Sequence, residues 1–211
     1  GGGRGMRIVR EASELRGAIE SASSEALAAF GSGAVYVEKF LEKARHVEVQ
    51  CLGDSHGNAI HLFDRDCSSQ RRHQKLIEEA PAPAVDPVKR LETAEAAARL
   101  LREAEYCGAA TVEFLMDANG DYSMLEVNTR VQVEHCVTEM VTGIDIVQAS
   151  IRVAAGEPLG IDQSEVKLNG HSIECRINAE DPDRDFMPQA GEVKTFVAPG
   201  GLGVRMDSHV R

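Results

Sequence analysis

The sequence has no tryptophan, few other aromatic residues and no long apolar run. Only 4% of its 211 residues are aromatic. No apolar stretch reaches the roughly 20 residues of a membrane-spanning helix, so we expect no membrane contact. Positive charge is also scarce, because 23 basic residues against 34 acidic ones give a net charge of −11. This balance argues against non-specific binding of nucleic acid, so we expect no nucleic-acid partner.

The cysteines lack the spacing of a zinc site. The five cysteines are widely scattered and form no CxxC pair: Cys51, Cys67, Cys107, Cys136 and Cys175. Zinc-binding cysteines usually come in closely spaced pairs. An odd number of isolated cysteines fits reduced thiols in a cytosol-like compartment, and we expect all five to be small buried apolar residues.

Helical spacing of apolar residues predicts three helices, and alternation predicts a set of strands. The helices cover residues 11–30, 88–106 and 138–155. The strands cover residues 34–41, 45–54, 58–68, 110–117, 122–135 and 170–181. The turns SHG and ANGD join neighbouring strands into two hairpins, and a proline-rich linker lies at 80–87. Hairpins mixed with packed helices indicate an α+β fold.

The stretch EVNTRVQVEH, residues 126–135, alternates polar and β-branched residues. As a strand, it would carry these polar side chains on one face: Glu126, Asn128, Arg130, Gln132 and Glu134. From this stretch alone, a solvated strand face and a binding site are about equally consistent with the pattern. The concentration of carboxylates and amides around one guanidinium is more typical of ligands.

Two carboxylates of the second hairpin predict a metal site. Glu113 lies in the strand TVEFL and Glu126 in the partner strand, so both can lie side by side on one face. Adjacent carboxylates repel unless a cation holds them. Mg²⁺ takes one or two carboxylates and completes its shell with phosphates and water, and Asn128 can add a neutral oxygen.

Three further segments are compatible with phosphate or nucleotide binding. The glycines in GGGRGM let backbone N–H groups approach an anion, and a helix follows soon after. The strand-like VEKFL offers backbone groups and an apolar wall, and QRRHQK offers six consecutive polar side chains. Each feature has an ordinary explanation in isolation: a flexible turn, a plain strand and an exposed loop.

Three long motifs carry a resemblance to a known family. They are RDCSSQRRHQKLIEEAPAP, EVNTRVQVEH with VTEMVTGID, and GHSIECRINAEDP. They closely resemble the biotin carboxylases, the ATP-grasp components of biotin-dependent carboxylases, and the likeness runs over residues 1–211. It implies an ATP-grasp fold with a lid subdomain over 1–80, a central catalytic region over 81–165 and the start of a C-terminal region over 166–211. It also implies further sequence at both ends, so we expect a fragment that is inactive by itself.

The resemblance also implies roles for individual residues. Glu113, Glu126 and Asn128 match the ligands of Mg²⁺ or Mn²⁺, with two ions expected at the ATP phosphates. The implied nucleotide contacts are Gly1, Gly2, Gly3 and Gly5 in a phosphate loop, Glu38, Lys39, Leu41 and Leu115 at the adenine, and His46, Gln70 and His73 at the ribose and phosphates. The implied bicarbonate pocket comprises Lys75, Arg130, Gln132, Val133 and Glu134, and Arg176 matches the residue beside the ureido oxygen of biotin.

The implied reaction uses ATP and bicarbonate to make carboxyphosphate and then carboxylates N1′ of biotin. Arg130 would hold bicarbonate through a forked contact, Glu134 would remove its proton, and Arg176 would stabilise the biotin enolate. The implied partners are a biotin carboxyl carrier, a carboxyltransferase and a second copy of the chain in a homodimer or larger assembly. NTR and VTEMVTGID favour an acyl-CoA carboxylase, such as acetyl-CoA or propionyl-CoA carboxylase. The expected location is the bacterial cytoplasm, the mitochondrial matrix or the plastid.

Two other interpretations stay open. Another ATP-grasp ligase, such as a carbamoyl-phosphate synthetase, would keep the metal set but would not explain residues 132–135 or ECRINAEDP. The isolated chain could instead be a non-catalytic nucleotide-binding module. Cys136 is one departure from the family, which usually has proline there, and it concerns the local turn rather than the ligands.

Overall fold

The computed structural model describes residues 5–210. These residues form two compact units: the first ends at Arg176 and the second begins at Ile177. The predicted phosphate-loop residues Gly1, Gly2 and Gly3 lie outside the described residues, whereas Gly5 is described and has a φ of 83°.

The first unit contains four α-helices and one antiparallel sheet. The helices are α1 (Leu15–Phe30), α2 (Pro87–Glu103), α3 (His135–Thr142) and α4 (Ile146–Ala154), with 3₁₀ turns at Ala12–Glu14 and Gln163–Glu165. The strands are β1 (Arg45–Gly53), β2 (Ala59–Arg71), β3 (Gln74–Ala80), β4 (Gly108–Met116), β5 (Tyr122–Asn128) and β6 (Ser172–Cys175). The predicted α+β class is confirmed.

The six strands lie in the order β5-β4-β1-β2-β3-β6. Both predicted hairpins are confirmed, since β1 pairs with β2 and β4 pairs with β5, in each case antiparallel. The two hairpins meet where β1 pairs with β4. This pairing places side chains from distant parts of the chain in continuous rows across the sheet.

The predicted helices over 11–30 and 88–106 are confirmed, and local signals explain their ends. Gly31 ends α1 with a φ of 73°, a left-handed conformation that suits glycine. Asp86 caps α2, because its side chain accepts hydrogen bonds from the backbone N–H groups of Val88 and Lys89. Pro87 follows at the first helical position, where the missing N–H costs little.

Four predicted elements were wrong in their extent or type. Residues 34–41 form no strand. Their side chains are exposed or half-buried, and their backbone pairs with no described strand. The strand predicted over 122–135 ends at Asn128, and the one over 170–181 is reduced to Ser172–Cys175. The helix predicted over 138–155 is two helices, because Gly143 ends α3 with a φ of 72° and Asp145 caps α4.

Strand β3 was missed because its residues are mostly polar. The QRRHQK segment is not one exposed loop: Gln70 and Arg71 end β2, and Gln74 and Lys75 begin β3. Arg72 and His73 form the tight turn between the strands, with φ values of 53° and 63°. These polar residues form a strand because several of their side chains face a buried cluster of polar groups.

The two faces of the central sheet are covered by different helices. On one face, α2 contributes Ala94, Ala97 and Leu101 to a core with these strand residues: Val49, Cys51, Ala110, Val112 and Phe114. On the other face, Ile146 of α4 packs with Leu52, Ile60, Leu62 and Ala109. The α4 face continues along β1 into Gln50 and Glu48, where it becomes polar while remaining buried.

The second unit is small and largely exposed. Strands β7 (Glu180–Asp181) and β8 (Met187–Pro188) pair antiparallel, and a 3₁₀ turn spans Pro182–Arg184. Across both units, the helices within residues 5–210 include none with the length and apolar character needed to span a membrane.

Acid should destabilise the first unit through His61. This side chain is 2% exposed, and neither ring nitrogen has a hydrogen-bond partner among the described residues. Burial lowers its pKa from 6.5 to about 4. Between these values the unfolded chain binds a proton that the folded protein does not bind. The free energy of unfolding should therefore fall as pH decreases through this window, by up to about 3 kcal/mol.

Urea unfolding at about pH 7.5 and about pH 4.5 measures this effect. His61→Leu should remove this part of the pH dependence, because it removes the titrating imidazole, and no side-chain hydrogen bond is lost with it. His209→Gln, at an exposed position of the second unit, is the matched control. It should leave the pH dependence of the free energy of unfolding of the first unit unchanged. The assignment is wrong if His61→Leu keeps the full pH dependence of the unsubstituted protein.

Candidate functional site

A row of charged side chains crosses four neighbouring strands. Glu126 on β5 lies opposite Glu113 on β4, Glu113 lies opposite Glu48 on β1, and Glu48 lies opposite Arg65 on β2. Directly opposed residues share one face of a sheet. The hairpin prediction that Glu113 and Glu126 lie side by side is thus confirmed, and the row extends further than the sequence indicated.

Arg65 and Glu48 form a fully buried ion pair at one end of this row. Each is 0% exposed, and Nε of Arg65 donates to Oε1 of Glu48 over 2.7 Å. The remaining guanidinium hydrogens go to neutral acceptors on four parts of the unit: Gln50 (2.8 Å), Thr138 (2.9 Å), Thr111 (3.2 Å) and Gln132 (3.3 Å). Arg65 therefore ties β1, β4, α3 and the loop before α3 together.

Lys75 at the start of β3 gathers three carboxylates. Its ammonium donates to Glu134 over 2.6 Å, to Glu113 over 3.0 Å and also to Glu48. Burial opposes its positive charge, but the carboxylates of Glu48 and Glu134 outweigh burial and raise the pKa of Lys75 above its usual range. Lys75 is therefore a permanent cation between three acids.

Glu113 lies at the centre of the cluster. Its Oε1 accepts hydrogen bonds from Asn128 (2.9 Å) and Gln132 (3.0 Å) as well as from Lys75. Nε2 of His46 lies 3.1 Å from its other oxygen. Burial opposes the charge of Glu113, but His46 and Lys75 outweigh burial and lower its pKa.

His46 is charged near neutral pH in this setting. Burial acts against its charge, but the carboxylates of Glu113 and Glu48 raise the pKa of His46 to about 9. Nδ1 of His46 lies 3.3 Å from the amide nitrogen of Gln70, so the sequence-predicted residues His46 and Gln70 are brought together.

Residues 129–134 do not continue β5 but fold back over the sheet. Gln132 is 5% exposed and Glu134 is 2% exposed. Glu134 accepts a hydrogen bond from Arg176 over 3.0 Å, and Arg130 donates to the side-chain oxygen of Asn128 over 3.1 Å. The prediction of one alternating strand face was wrong in this respect. The turn places these side chains closer to Glu113 and Lys75 than a straight strand would.

Other predicted residues lie outside this bonded cluster. Glu38 and Lys39 are exposed in the irregular segment before β1, and within residues 5–210 neither has a recorded hydrogen bond to the cluster; Leu41 is half-buried there. His73 is exposed in the β2–β3 turn, and Val133 is 59% exposed. Leu115 lies opposite His46 across β4 and β1.

Sequence reasoning missed several members of the cluster. Glu48 and Gln50 alternate with valines in HVEVQ, which is the same signal that singled out residues 126–135. Arg65 lies in FDRDC and Glu78 in LIEEA, where no local pattern distinguishes a buried charge from an exposed one. Their partners are distant in sequence, so only the fold identifies them.

The outer end of the row fits a hard cation. Glu126 is exposed and makes no hydrogen bond or ion pair with a described residue, and Asn128 and Glu113 lie beside it. Two carboxylates and an amide oxygen at an open edge are suitable ligands for Mg²⁺ or Mn²⁺. The inner end is unsuitable, because Arg65 and Lys75 already neutralise Glu48 there.

Comparison with known proteins identifies the class first. The family described as "Carbamoyl-phosphate synthase L chain, ATP binding domain" matches residues 1–162, and "Biotin carboxylase C-terminal domain" matches residues 174–211. The chain has the ATP-grasp fold of these ATP-binding domains. The match to the C-terminal domain then narrows the class, and the chain belongs to the biotin carboxylase family.

Individual relatives agree with this placement. Biotin carboxylase of Pseudomonas aeruginosa is 58% identical over 210 residues, covering 100% of this chain and 46% of the relative. The mitochondrial methylcrotonoyl-CoA carboxylase subunit alpha of Rattus norvegicus is 52% identical over 212 residues, covering 100% of this chain and 30% of the relative. The chain thus spans about half the length, or less, of the curated relatives it matches.

Solved structures show the same fold. A biotin carboxylase–β,γ-ATP complex from Campylobacter jejuni has a TM-score of 0.95 at 53% identity and covers 100% of this chain and 47% of that chain. The biotin carboxylase domain of Hydrogenobacter thermophilus 2-oxoglutarate carboxylase, solved with MgADP, ADP and bicarbonate, has a TM-score of 0.92 at 49% identity. This match covers 97% of this chain and 45% of that chain.

Replacing Arg65 by methionine should strongly destabilise the first unit. The substitution keeps roughly the length of the side chain but removes the closest partner of the buried Glu48 carboxylate, which keeps only Lys75 and His46 among the described residues, and leaves four neutral acceptors without their donor. Breaking a buried ion pair from one side costs about 3–5 kcal/mol. Urea unfolding measures the loss. Arg99→Met, on the exposed face of α2, is the matched control and should cost less than about 1 kcal/mol. Similar losses for the two variants would contradict this role for Arg65.

Proposed function

We propose that the protein containing this chain carboxylates biotin, using ATP and bicarbonate, by way of carboxyphosphate. The observation that carries the proposal is Lys75, whose ammonium donates both to Glu113, which lies beside Glu126 and Asn128, and to Glu134 in the loop after β5. One half-buried ammonium therefore links the group suited to bind metal with the group suited to remove a proton. The similarity to structures that contain MgADP and bicarbonate supports the same assignment.

Glu113, Glu126 and Asn128 would hold the Mg²⁺ or Mn²⁺ ions that accompany ATP. The metal supplies charge neutralisation at the phosphates when it is bound. The fit rests on the row from Glu113 to Glu126 and on the exposed, unpartnered Glu126. His46 and Lys75 would add positive charge beside the phosphates.

The nucleotide would extend from this row towards the segment before β1. Leu115 and Leu41 would contact the adenine, Glu38 and Lys39 would bind its edge, and Gln70 and His73 would lie near the ribose and phosphates. The glycines of residues 1–5 would bind phosphate through backbone N–H groups. The observed Gln70–His46 contact and the place of Leu115 opposite His46 support one end of this arrangement.

Bicarbonate would bind around the loop that folds back after β5. Arg130 is exposed; its Nη2 donates to Asn128 and its Nη1 to the carbonyl of Val131, and each nitrogen keeps a second hydrogen that could bind an oxyanion. Gln132 and Val133 would line this pocket. Glu134 would act as the general base, and its contacts with Lys75 and Arg176 hold it in one position. Arg176 would then donate to the ureido oxygen of biotin as negative charge develops there.

The parent enzyme would be an acyl-CoA carboxylase, such as acetyl-CoA or propionyl-CoA carboxylase. It would work with a biotin carboxyl carrier and a carboxyltransferase, as a homodimer or larger assembly. Relatives at similar identity include a methylcrotonoyl-CoA carboxylase subunit and a pyruvate carboxylase subunit, so the acceptor needs a direct test. The full-length protein, assayed with its own carrier and transferase, should carboxylate an acyl-CoA and not pyruvate; the reverse preference would refute this proposal.

Removing either metal-binding carboxylate should severely weaken metal-dependent ATP turnover. In the full-length protein, Glu113→Gln and Glu126→Gln should each need more Mg²⁺ for half-maximal ATP cleavage, because an amide replaces a charged ligand. Titration with Mg²⁺ and with Mn²⁺ measures this. Glu92→Gln, on the exposed side of α2, is the matched control. An unchanged metal dependence in both site variants would refute the metal assignment.

Substitutions of Glu134 and Arg176 should have different effects in two parallel assays. Glu134→Gln should keep ATP binding, because the proposed metal ligands are intact. It should lose most bicarbonate-dependent ATP cleavage, roughly 10²–10⁴-fold, as expected for a general base. Arg176→Gln should keep more ATP cleavage than biotin carboxylation, since carboxyphosphate would form and be hydrolysed unused.

Phosphate release and carboxybiotin formation, measured on the same samples, decide between these roles and a purely structural one. If both residues only stabilise the fold, the two variants should show lower thermal stability and proportional losses in the two assays. Proportional losses would therefore refute the assigned roles.

A further inference from the structure

Glu78 on β3 is a buried carboxyl group that the proposed reaction does not yet use. It is 0% exposed, and neither carboxylate oxygen accepts a hydrogen bond from a described residue. Buried carboxylates almost always have hydrogen-bond donors. The charged side chains around Glu78 must therefore account for its burial without a hydrogen-bond donor.

The main group facing Glu78 is Arg176. Nε of Arg176 lies 2.9 Å from Oε1 of Glu78, which makes an ion pair without the alignment of a hydrogen bond. The backbone fixes this proximity, because β3 pairs with β6 and the N–H of Arg176 donates to the carbonyl of Leu76 over 2.9 Å. Glu78 and Arg176 are therefore held together by the sheet itself.

Arg176 is thereby held by two carboxylates from different elements. Its Nη2 donates to Glu134 over 3.0 Å, while its Nε lies beside Glu78. The two acids are not equivalent. Glu134 also binds Lys75 and lies in the loop assigned to bicarbonate, whereas Glu78 lies within the sheet, behind Arg176. If Glu134 is occupied with substrate, Glu78 is the one carboxylate among the described residues that remains paired with the guanidinium.

We infer that Glu78 is the positioning residue for Arg176. Glu78 would keep the guanidinium in the site while Glu134 acts on bicarbonate and Arg176 contacts biotin. The inference deepens the proposed function and rests on it. Glu78 itself would touch neither substrate, so its effect should be confined to the half-reaction in which Arg176 takes part.

The charges around Glu78 make this hold dependent on pH. Burial raises the pKa of Glu78 to about 7; Arg176 and Lys75 act against this rise, and the carboxylates of Glu174 and Glu134 add to it. Glu174 lies opposite Glu78 across β3 and β6 and accepts a hydrogen bond from the thiol of Cys136. Glu78 therefore holds Arg176 as a carboxylate above about pH 7 and loses that hold as it gains a proton below it.

Glu78→Gln in the full-length protein tests the inference, with carboxybiotin formation and phosphate release measured in parallel from about pH 6 to about pH 8.5. Carboxybiotin formation should fall by roughly tenfold to 10²-fold, as for a displaced reacting group. Bicarbonate-dependent phosphate release should fall much less. The ratio of the two rates should rise with pH in the unsubstituted protein and become flat in Glu78→Gln.

Glu79→Gln is the matched control. Glu79 is the next residue of β3, and its carboxylate pairs with the exposed His171 over 2.9 Å instead of facing Arg176. This variant should keep both rates and their pH dependence. Glu78→Asp retains the charge and should recover part of the carboxybiotin formation lost in Glu78→Gln.

A purely structural role would give proportional losses in both assays and an unchanged pH profile of their ratio, and that result would overturn the inference. If Glu78→Gln does not fold, Glu78→Asp must still lose carboxybiotin formation more than phosphate release. If the unsubstituted protein shows neither activity, the proposed function itself fails, which is a distinct outcome.

Discussion

The buried ion pair between Arg65 and Glu48 is the interaction on which the rest of the site depends. Two charges without solvent are stable only when every remaining donor and acceptor is satisfied. Arg65 meets this condition by donating to groups on β1, β4, α3 and the loop before α3. Those elements are therefore fixed relative to β2, and the positions of Gln132 and Thr138 follow from this one guanidinium.

Lys75 extends the same constraint to the other half of the cluster. Glu48 accepts from both Arg65 and Lys75, so the lysine is positioned by an acid that is itself immobile. Lys75 in turn positions Glu113 and Glu134. The chemistry proposed for the family requires a metal-binding carboxylate and a general base at a set separation. Here one ammonium group bonds to both of the acids proposed for these roles, Glu113 on β4 and Glu134 in the loop after β5.

Much of the architecture could be predicted from local sequence. The Asn119-Gly120 turn and the alternating residues on either side of it place Glu113 opposite Glu126, as observed. Gly31 and Asp86 mark helix ends for reasons that involve only neighbouring residues. Prediction failed where the local sequence pattern and the tertiary contacts of the side chains disagree. Residues 129–134 alternate like a strand, yet they leave the sheet, and Gln132 and Glu134 accept hydrogen bonds from Arg65 on β2 and Lys75 on β3.

The sequence by itself determined the hairpins, the end of α1 and the start of α2, and the family, and it proposed most of the candidate ligands, since these depend on residues that are close in the chain or on long motifs. Only the tertiary structure decided that β1 lies between β2 and β4, which aligns Glu126, Glu113, Glu48 and Arg65 in one row. It also decided that Glu78 faces Arg176. The physical reason is that a buried charge is defined by partners supplied by strand order and register, and periodicity along one strand does not encode which strand will lie beside it.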